Sequence, residues 1–178
     1  MNILDQIVAK KKIAIESKKA GISLKELRDS IEEMLPTRSF KKSLDEGITK
    51  NGLAIIAEAK KGSPSAGIIS KNYDPIKVAQ MYEASGASCV SVLTEEDFFH
   101  GNEAHLSAVL ANIKLPVLRK DFIIDAWQVY ESRKLGADCI LLIAAILSNT
   151  EIEDFAAISE SIGFIQLLRF MMKKSSCV

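Results

Sequence analysis

Residues 52–70 read GLAIIAEAKKGSPSAGIIS. An apolar run suited to a buried strand leads into Glu58 and Lys60, and then into a Gly-Ser-Pro-Ser turn. An ionised group is tolerated in an apolar interior only if it is paired or functional. Residues two apart on a strand share a side-chain direction, so Glu58 and Lys60 point the same way. They are either a local ion pair or they project into a site.

Outward from this stretch, the pattern repeats. The apolar runs LAIIA (53–57), CVSVL (89–93), LPVL (115–118) and CILLI (139–143) alternate with the helix-like segments DPIKVAQMYEASGA (74–87), EAHLSAVLANI (103–113) and DAWQVYESRKLGA (125–137). Runs apolar on both faces and separated by helices are the mark of parallel strands in βαβ units. Gly86 and Gly136 suit helix C-caps that feed the next strand. The fold class is therefore α/β, with four βα units and the start of a fifth. Ahead of them, Ile3, Ile7 and Ile13, then Leu24, Leu27 and Ile31, recur at helical steps. Two amphipathic helices are expected there, with Gly21 between them, a Ser23–Glu26 capping box opening the second and Pro36 beyond its end.

Composition narrows the functional classes. The chain has 178 residues, 48% apolar and 26% charged, enough for one domain with a sizeable core. Its 23 Lys and Arg balance 23 Asp and Glu, which gives no reason to expect nucleic acid or an anionic membrane as partner. Cys89, Cys139 and Cys177 are an odd number at wide spacing, two of them inside apolar runs, which favours a reducing cytoplasm. Charges interleaved with apolar residues at the N-terminus do not fit a signal peptide. The longest apolar stretch, CILLIAAIL (139–147), is too short to span a bilayer.

The apolar runs end in chemically useful residues: Glu58 and Lys60 after the first, Thr94, Glu95 and Glu96 after the second, Arg119, Lys120 and Asp121 after the third. The C-terminal ends of parallel strands are where barrel and open-sheet α/β enzymes carry their sites. Each end taken alone reads first as a solvated strand terminus; the three together shift the balance toward a site.

These same residues carry a family resemblance. IAEAKKGSPSAG resembles the first-strand motif of indole-3-glycerol-phosphate synthases, VSVLTEEDFFHG their second strand and loop, LPVLRKDFIID their third strand and LGADCILLIAAIL their fourth. The resemblance implies a TIM-barrel type (β/α)8 fold, with a helical extension over 1–50, a partial barrel over 51–168 and an aberrant tail over 169–178. It implies closure of 1-(2-carboxyphenylamino)-1-deoxyribulose 5-phosphate, a phosphosugar anthranilate, to indole-3-glycerol phosphate by a carbon–carbon lyase of tryptophan biosynthesis. No metal or organic cofactor is implied. Carried over by position, Lys120 is the general acid at the ribulose carbonyl, Glu58 orients it and shares its proton, and Lys60 meets the carboxylate or phosphate. Ser63 contacts substrate at the turn, or is simply a turn former beside Pro64. Phe99, Phe122 and Leu141 form an apolar slot for the anthranilate ring, or are plain core. His100 and His105 match no catalytic position and read as surface.

The resemblance breaks near the end. A complete barrel needs about 250 residues, and the family's fifth strand ends in a catalytic glutamate where this chain has Arg169. The codons AGA TTT ATG ATG AAG AAG AGN for Arg169–Ser175 read two bases on as Ile-Tyr-Asp-Glu-Glu-Glu, so a frameshift near Leu168 is the expectation, with a native basic segment as the other reading. Without the later strands the chain is expected to be inactive. Its interior face, taken to include Ile56, Val92, Val117 and Leu141, would lack cover, and uncovered strand edges are templates for association. A non-catalytic half-barrel that self-associates is thus the second reading. A phosphoribosylanthranilate isomerase is a third, and the SPS and LRKDF motifs argue against it.

Overall fold

The computed structural model of the chain describes residues 2–170. Most of the tail expected over 169–178, and Cys177, lie outside the described residues. Helix α1 (Ile3–Gly21) and helix α2 (Leu24–Ile31) are the two expected helices, each opened by a capping box, Asn2 with Asp5 and Ser23 with Glu26. A third helix, α3 (Phe40–Asn51), follows and was not expected. It is amphipathic, with Phe40, Leu44 and Ile48 four residues apart on one face, and Ser39 caps it by accepting from the Lys42 N–H.

Strand β1 (Ile56–Ala59) comes next, then a small antiparallel hairpin of β2 (Gly62–Ser63) and β3 (Gly67–Ile68). After it come α4 (Pro75–Ala84), β4 (Cys89–Leu93), α5 (Glu103–Leu110), β5 (Val117–Lys120), α6 (Ala126–Lys134), β6 (Cys139–Ile143), α7 (Asn149–Ser161) and β7 (Ile165–Arg169). The main sheet has five parallel strands in the order β1-β4-β5-β6-β7. This is the expected α/β fold, four βα units and a fifth strand of a TIM-barrel type sheet. Gly86 and Gly136 follow α4 and α6 with φ of 85° and 88°, the left-handed cap that a side chain would strain.

Register fixes which face each residue takes. Glu58, Ser91, Leu118, Cys139 and Ile165 form one row across the sheet, and residues two further along share their face. On this inner face Phe40 from α3 packs with Cys89, Leu118, Cys139, Leu141 and Ile143. On the outer face Val90, Val92, Val117, Ile140 and Leu142 are covered by Leu106, Val109 and Val129 from the helices. Val92 and Val117 are therefore not interior residues of the barrel. They are fully buried against helices, because they lie one residue out of phase with Ser91 and Leu118. Ile56 and Leu141 do face inward. At the β1 edge Leu53, Ile55 and Ile56 are exposed, so the ordered strand starts later than the apolar run. Burial pushes the Cys89 thiol up to about 11 and raises Cys139 further, as expected of inert core thiols. Among the described residues no helix is long and apolar enough to cross a membrane.

Candidate active site

Glu58, Lys60 and Lys120 meet at the C-terminal ends of β1 and β5. Lys60 Nζ lies 2.9 Å from Glu58 Oε1, and Lys120 Nζ donates to Glu58 Oε2. Parity brings them together: Glu58 is on the inner face of β1, Lys60 follows just past the strand's end with the same parity, and Lys120 lies two residues beyond inward-facing Leu118. Burial pushes the Glu58 carboxyl up, but the hydrogen bonds from Lys120 and Lys60 outweigh it and hold the group below its ordinary range.

Glu58 and Lys120, but not Lys60, line an open cleft of about 540 Å³ on the inner face, walled by Ser91 and floored by Leu118, Leu141 and Leu167, with Arg169 at its rim. Leu141 both lines this cleft and belongs to the inner cluster, so the two readings of it coexist. Phe99 and Phe122 meet each other in the loops after β4 and β5, with ring centroids 6.0 Å apart and planes tilted by 41°. Phe122 also packs on the inner cluster. Ser63 is in the hairpin, where its Oγ accepts from the Ala66 N–H at 3.2 Å. That is the turn-forming role, and Ser63 does not line the cleft.

Two polar residues near the site had escaped the sequence reading as anything more than strand or strand-end groups. Ser91, in the apolar run CVSVL, sits beside Glu58 in the inner row. Glu95 is buried and accepts from the backbone N–H groups of Asp97, Phe98 and Phe99 at 3.2, 2.8 and 3.0 Å, which fixes the loop carrying Phe99. A lone hydroxyl in an apolar strand was the only sequence signal for the first. The second carried none beyond an acid near a strand end.

The remaining polar strand ends belong to the other side of the sheet. Arg119 is 2% exposed. Its guanidinium donates to Thr94 Oγ1 at 3.1 Å, Glu131 Oε2 at 2.8 Å, Ser132 Oγ at 3.0 Å and Glu103 Oε1 at 2.9 Å. Thr94 in turn donates to Asp121 at 2.6 Å. Helix α1 clips onto this network: Lys11 pairs with Asp121 at 2.7 Å, and Lys18 pairs with Glu103 and Glu131. Arg119, Thr94 and Asp121 thus strap α1 across the strand ends rather than face the cleft. His105 is half-buried on α5, its ring edge-on to Tyr73 at 5.4 Å, and burial lowers its pKa. A second cleft, about 580 Å³, lies between α2, α6 and the end of α7 and holds none of the candidate site residues.

Comparisons with known proteins identify relatives of this chain. The family model described as indole-3-glycerol phosphate synthase matches residues 4–174. A protein of that name from Acaryochloris marina (strain MBIC 11017) is 44% identical over 167 residues, covering 94% of this chain and 54% of its own length. One from Alkaliphilus metalliredigens (strain QYMF) is 42% identical over 172 residues, 97% of this chain and 65% of its own. One from Neisseria meningitidis serogroup B (strain ATCC BAA-335 / MC58) is 42% identical over 167 residues, 94% and 64%. The chain therefore spans between 54% and 65% of the length of these relatives. With a match over nearly all of its residues and a parallel α/β sheet carrying Glu58, Lys60 and Lys120 at one mouth, the chain belongs to the indole-3-glycerol phosphate synthase family.

Proposed function

We propose that the cleft binds 1-(2-carboxyphenylamino)-1-deoxyribulose 5-phosphate, and that Glu58, Lys60 and Lys120 are the acid–base part of a ring-closing carboxy-lyase site. In that reaction the ring carbon bearing the carboxylate bonds to the ketone carbon of the ribulose, carbon dioxide leaves to restore the aromatic ring, the hydroxyl formed from the ketone departs as water, and the methylene carbon between that centre and the nitrogen gives up a proton to complete the indole double bond. Lys120 donates a proton to the ketone oxygen and then to the leaving hydroxyl. Glu58 holds the Lys120 ammonium in place and returns protons to it. Lys60 meets the substrate's carboxylate or phosphate, and Phe99, Phe122 and Leu141 offer apolar surface to the anthranilate ring. Ser63 orders the turn beside the mouth and reaches substrate only through that turn. The reading is carried by one observation: two lysines from different strands converge on a single carboxylate at the strand ends, in a family whose members bear the synthase name.

Among the described residues the cleft offers a single carboxylate, Glu58, held by both lysines, and a guanidinium stands at its rim. We therefore expect the 178-residue chain to bind substrate but to show no measurable ring closure, since groups that act as a unit lose nearly everything when one is missing. The test is calorimetric titration with the ketone-reduced substrate analogue, together with an indole fluorescence assay on the substrate itself. Saturable binding that weakens about tenfold or more in Lys120→Ala supports the reading. Binding unaffected by Lys120→Ala and Glu58→Gln overturns it, and indole-3-glycerol phosphate formed above the Lys120→Ala control overturns the expected inactivity.

A second property follows from the edges. Among the described residues, strands β1 and β7 each pair on one side only, and Leu53, Ile55, Leu168 and Phe170 are exposed beside them. Two copies joined edge to edge would cover this surface. Sedimentation of the chain is expected to show a dimer or larger species, and a monodisperse monomer with a sharp cooperative unfolding peak would exclude it.

A further inference from the structure

The second cleft, about 580 Å³, lies among the helices where α2, α6 and α7 end, at Ile31, Lys134 and Ser161. Its size is that of a small-molecule site, about 300–1,000 Å³. Two guanidiniums line it. Arg133, in the last turn of α6, is 5% exposed, and among the described residues its side chain donates only to the Leu35 carbonyl. Most of its N–H donors are therefore unused. Asp138 is the carboxylate whose charge reaches it, and that group already accepts from the Arg38 and Val117 N–H groups at 2.7 and 2.8 Å. A buried cation is ordinarily paired with a carboxylate; this one lines a cleft instead. The second guanidinium, Arg28, is exposed on α2, stands 5.9 Å from the Tyr130 ring centroid and forms no ion pair among the described residues. Tyr130 and Arg133 are three apart on α6 and so neighbours on one helix face, which puts both arginines on the same side of the cleft. Ile31, Met34 and Ile162 give it apolar surface, and Glu32 is the one carboxylate in the lining.

We infer that this cleft is a binding site for a small apolar monocarboxylate, with the carboxylate on Arg28 and Arg133 and the hydrocarbon body on Ile31, Met34 and Ile162. The planar guanidinium suits a carboxylate because two parallel N–H groups can meet its two oxygens. Charge sets the valence of the ligand. The C-terminal ends of three helices carry partial negative charge, and with Glu32 they offset part of the two cations. A monoanion matches what remains, and a phosphate dianion meets repulsion. The apolar lining separates the ligand from a bare oxyanion, which would leave that surface uncovered. This site shares no residue with the cleft of Glu58 and Lys120 and does not depend on the family reading.

The chain's single tryptophan, Trp127, packs with Ile31 and Tyr130 in the cluster beside this cleft, so its fluorescence reports occupancy here. The test is titration of the 178-residue chain with 3-phenylpropionate, followed by Trp127 fluorescence and by calorimetry, with 3-phenylpropanamide and inorganic phosphate as comparison ligands. A saturable change in Trp127 emission, amide and phosphate binding at least about tenfold weaker, and about a tenfold loss in each of Arg28→Gln and Arg133→Gln are expected. Lys120→Ala is expected to leave the affinity unchanged. Arg28 is exposed, so its variant's unfolding transition should stay where it is, and that variant decides the matter alone if Arg133→Gln does not fold. Equal affinity in Arg28→Gln and the parent overturns the inference, as does the absence of saturable binding, or amide or phosphate binding as tightly as the acid. Calorimetric binding that leaves Trp127 unchanged and is lost in Lys120→Ala would place the acid in the inner cleft, and the inference would fall while the synthase reading stood.

Discussion

Arg119 and Lys120 are consecutive residues of β5 that face opposite sides of the same sheet. Arg119 turns outward into a closed network in which Thr94, Glu103, Glu131 and Ser132 take its donors, and it is 2% exposed. Lys120 turns inward to Glu58 at the rim of an open cleft, with a quarter of its side chain exposed. One cation is sealed among fixed partners, and the other keeps a partner it can exchange for a ligand. Charge at a strand end therefore does not by itself mark chemistry. The side of the sheet decides, and the side follows from register with a neighbouring strand.

The largest effect expected is on the sealed side. Arg119→Met leaves Glu131 and Glu103 short of a buried cation, and breaking one partner out of a buried ionic set costs about 3–5 kcal/mol. Urea unfolding should show the chain at or below its folding threshold. A loss under about 1 kcal/mol, the level of an exposed pair, would mean the network contributes little and would dissolve the contrast. The next effect is at the clip that joins α1 to the network. Lys11→Met removes the 2.7 Å partner of fully buried Asp121, and a lost hydrogen bond to a charged group is worth about 1.5–3 kcal/mol. The same variant should raise the pH at which acid unfolding begins, because Lys11 is the chief opposite charge holding the Asp121 proton off.

How much of this could be seen in the sequence depended on how local the cause was. The Ser23–Glu26 capping box spans three residues and was readable at once, as was the shared direction of Glu58 and Lys60 on one strand. The four βα units followed from runs and spacers of ordinary length. Arg119 was read together with Lys120 as a single polar end, because nothing within LRKD says which residue faces the helices; that information sits in the pairing of Arg119 with Val92 and Ile140 on neighbouring strands. The same one-residue phase put Val92 and Val117 on the wrong face. Helix α3 was legible in hindsight from Ser39, Phe40, Leu44 and Ile48, but its many polar residues hid a stripe one residue wide. Ser91 and Glu95 could not be assigned from sequence at all, since a lone serine and a loop acid acquire meaning only from the atoms around them.

Acidification distinguishes the two regions by size. Burial pushes the Asp121 carboxyl up, but Lys11, Arg119 and the Thr94 hydroxyl outweigh that, so its folded pKa lies below the ordinary aspartate value of 3.8. A carboxyl depressed on folding stabilises the folded state above its unfolded pKa, and that contribution disappears as pH falls through the folded pKa. The stability gap between the parent and Asp121→Asn should therefore be widest near neutrality and narrow below about pH 4. Other carboxyls, Glu26, Asp74 and Glu151 among them, are lowered too, so the measurement is the difference between variants. A gap that is constant from pH 7 to pH 3 would show that Asp121 does not titrate with folding.

The smallest effect belongs to the open side, and it is the one that gives the comparison its functional content. Lys120→Met removes one of two lysines from Glu58, which keeps Lys60 at 2.9 Å and remains about a third exposed. Water and Lys60 can satisfy the freed oxygen, so the cost should be that of a surface pair, within about 1 kcal/mol. Folded stability in urea should hardly move, while binding of the reduced substrate analogue should fall tenfold or more. Glu58 would lose the first of the two hydrogen bonds that lower its pKa, so its residual acid-side contribution to stability should shift to higher pH, in the direction of an ordinary glutamate. A Lys120→Met chain destabilised as much as Arg119→Met would mean that the inward lysine is structural after all, held as tightly as its outward neighbour, and would remove the physical ground for placing the acid–base chemistry at this mouth.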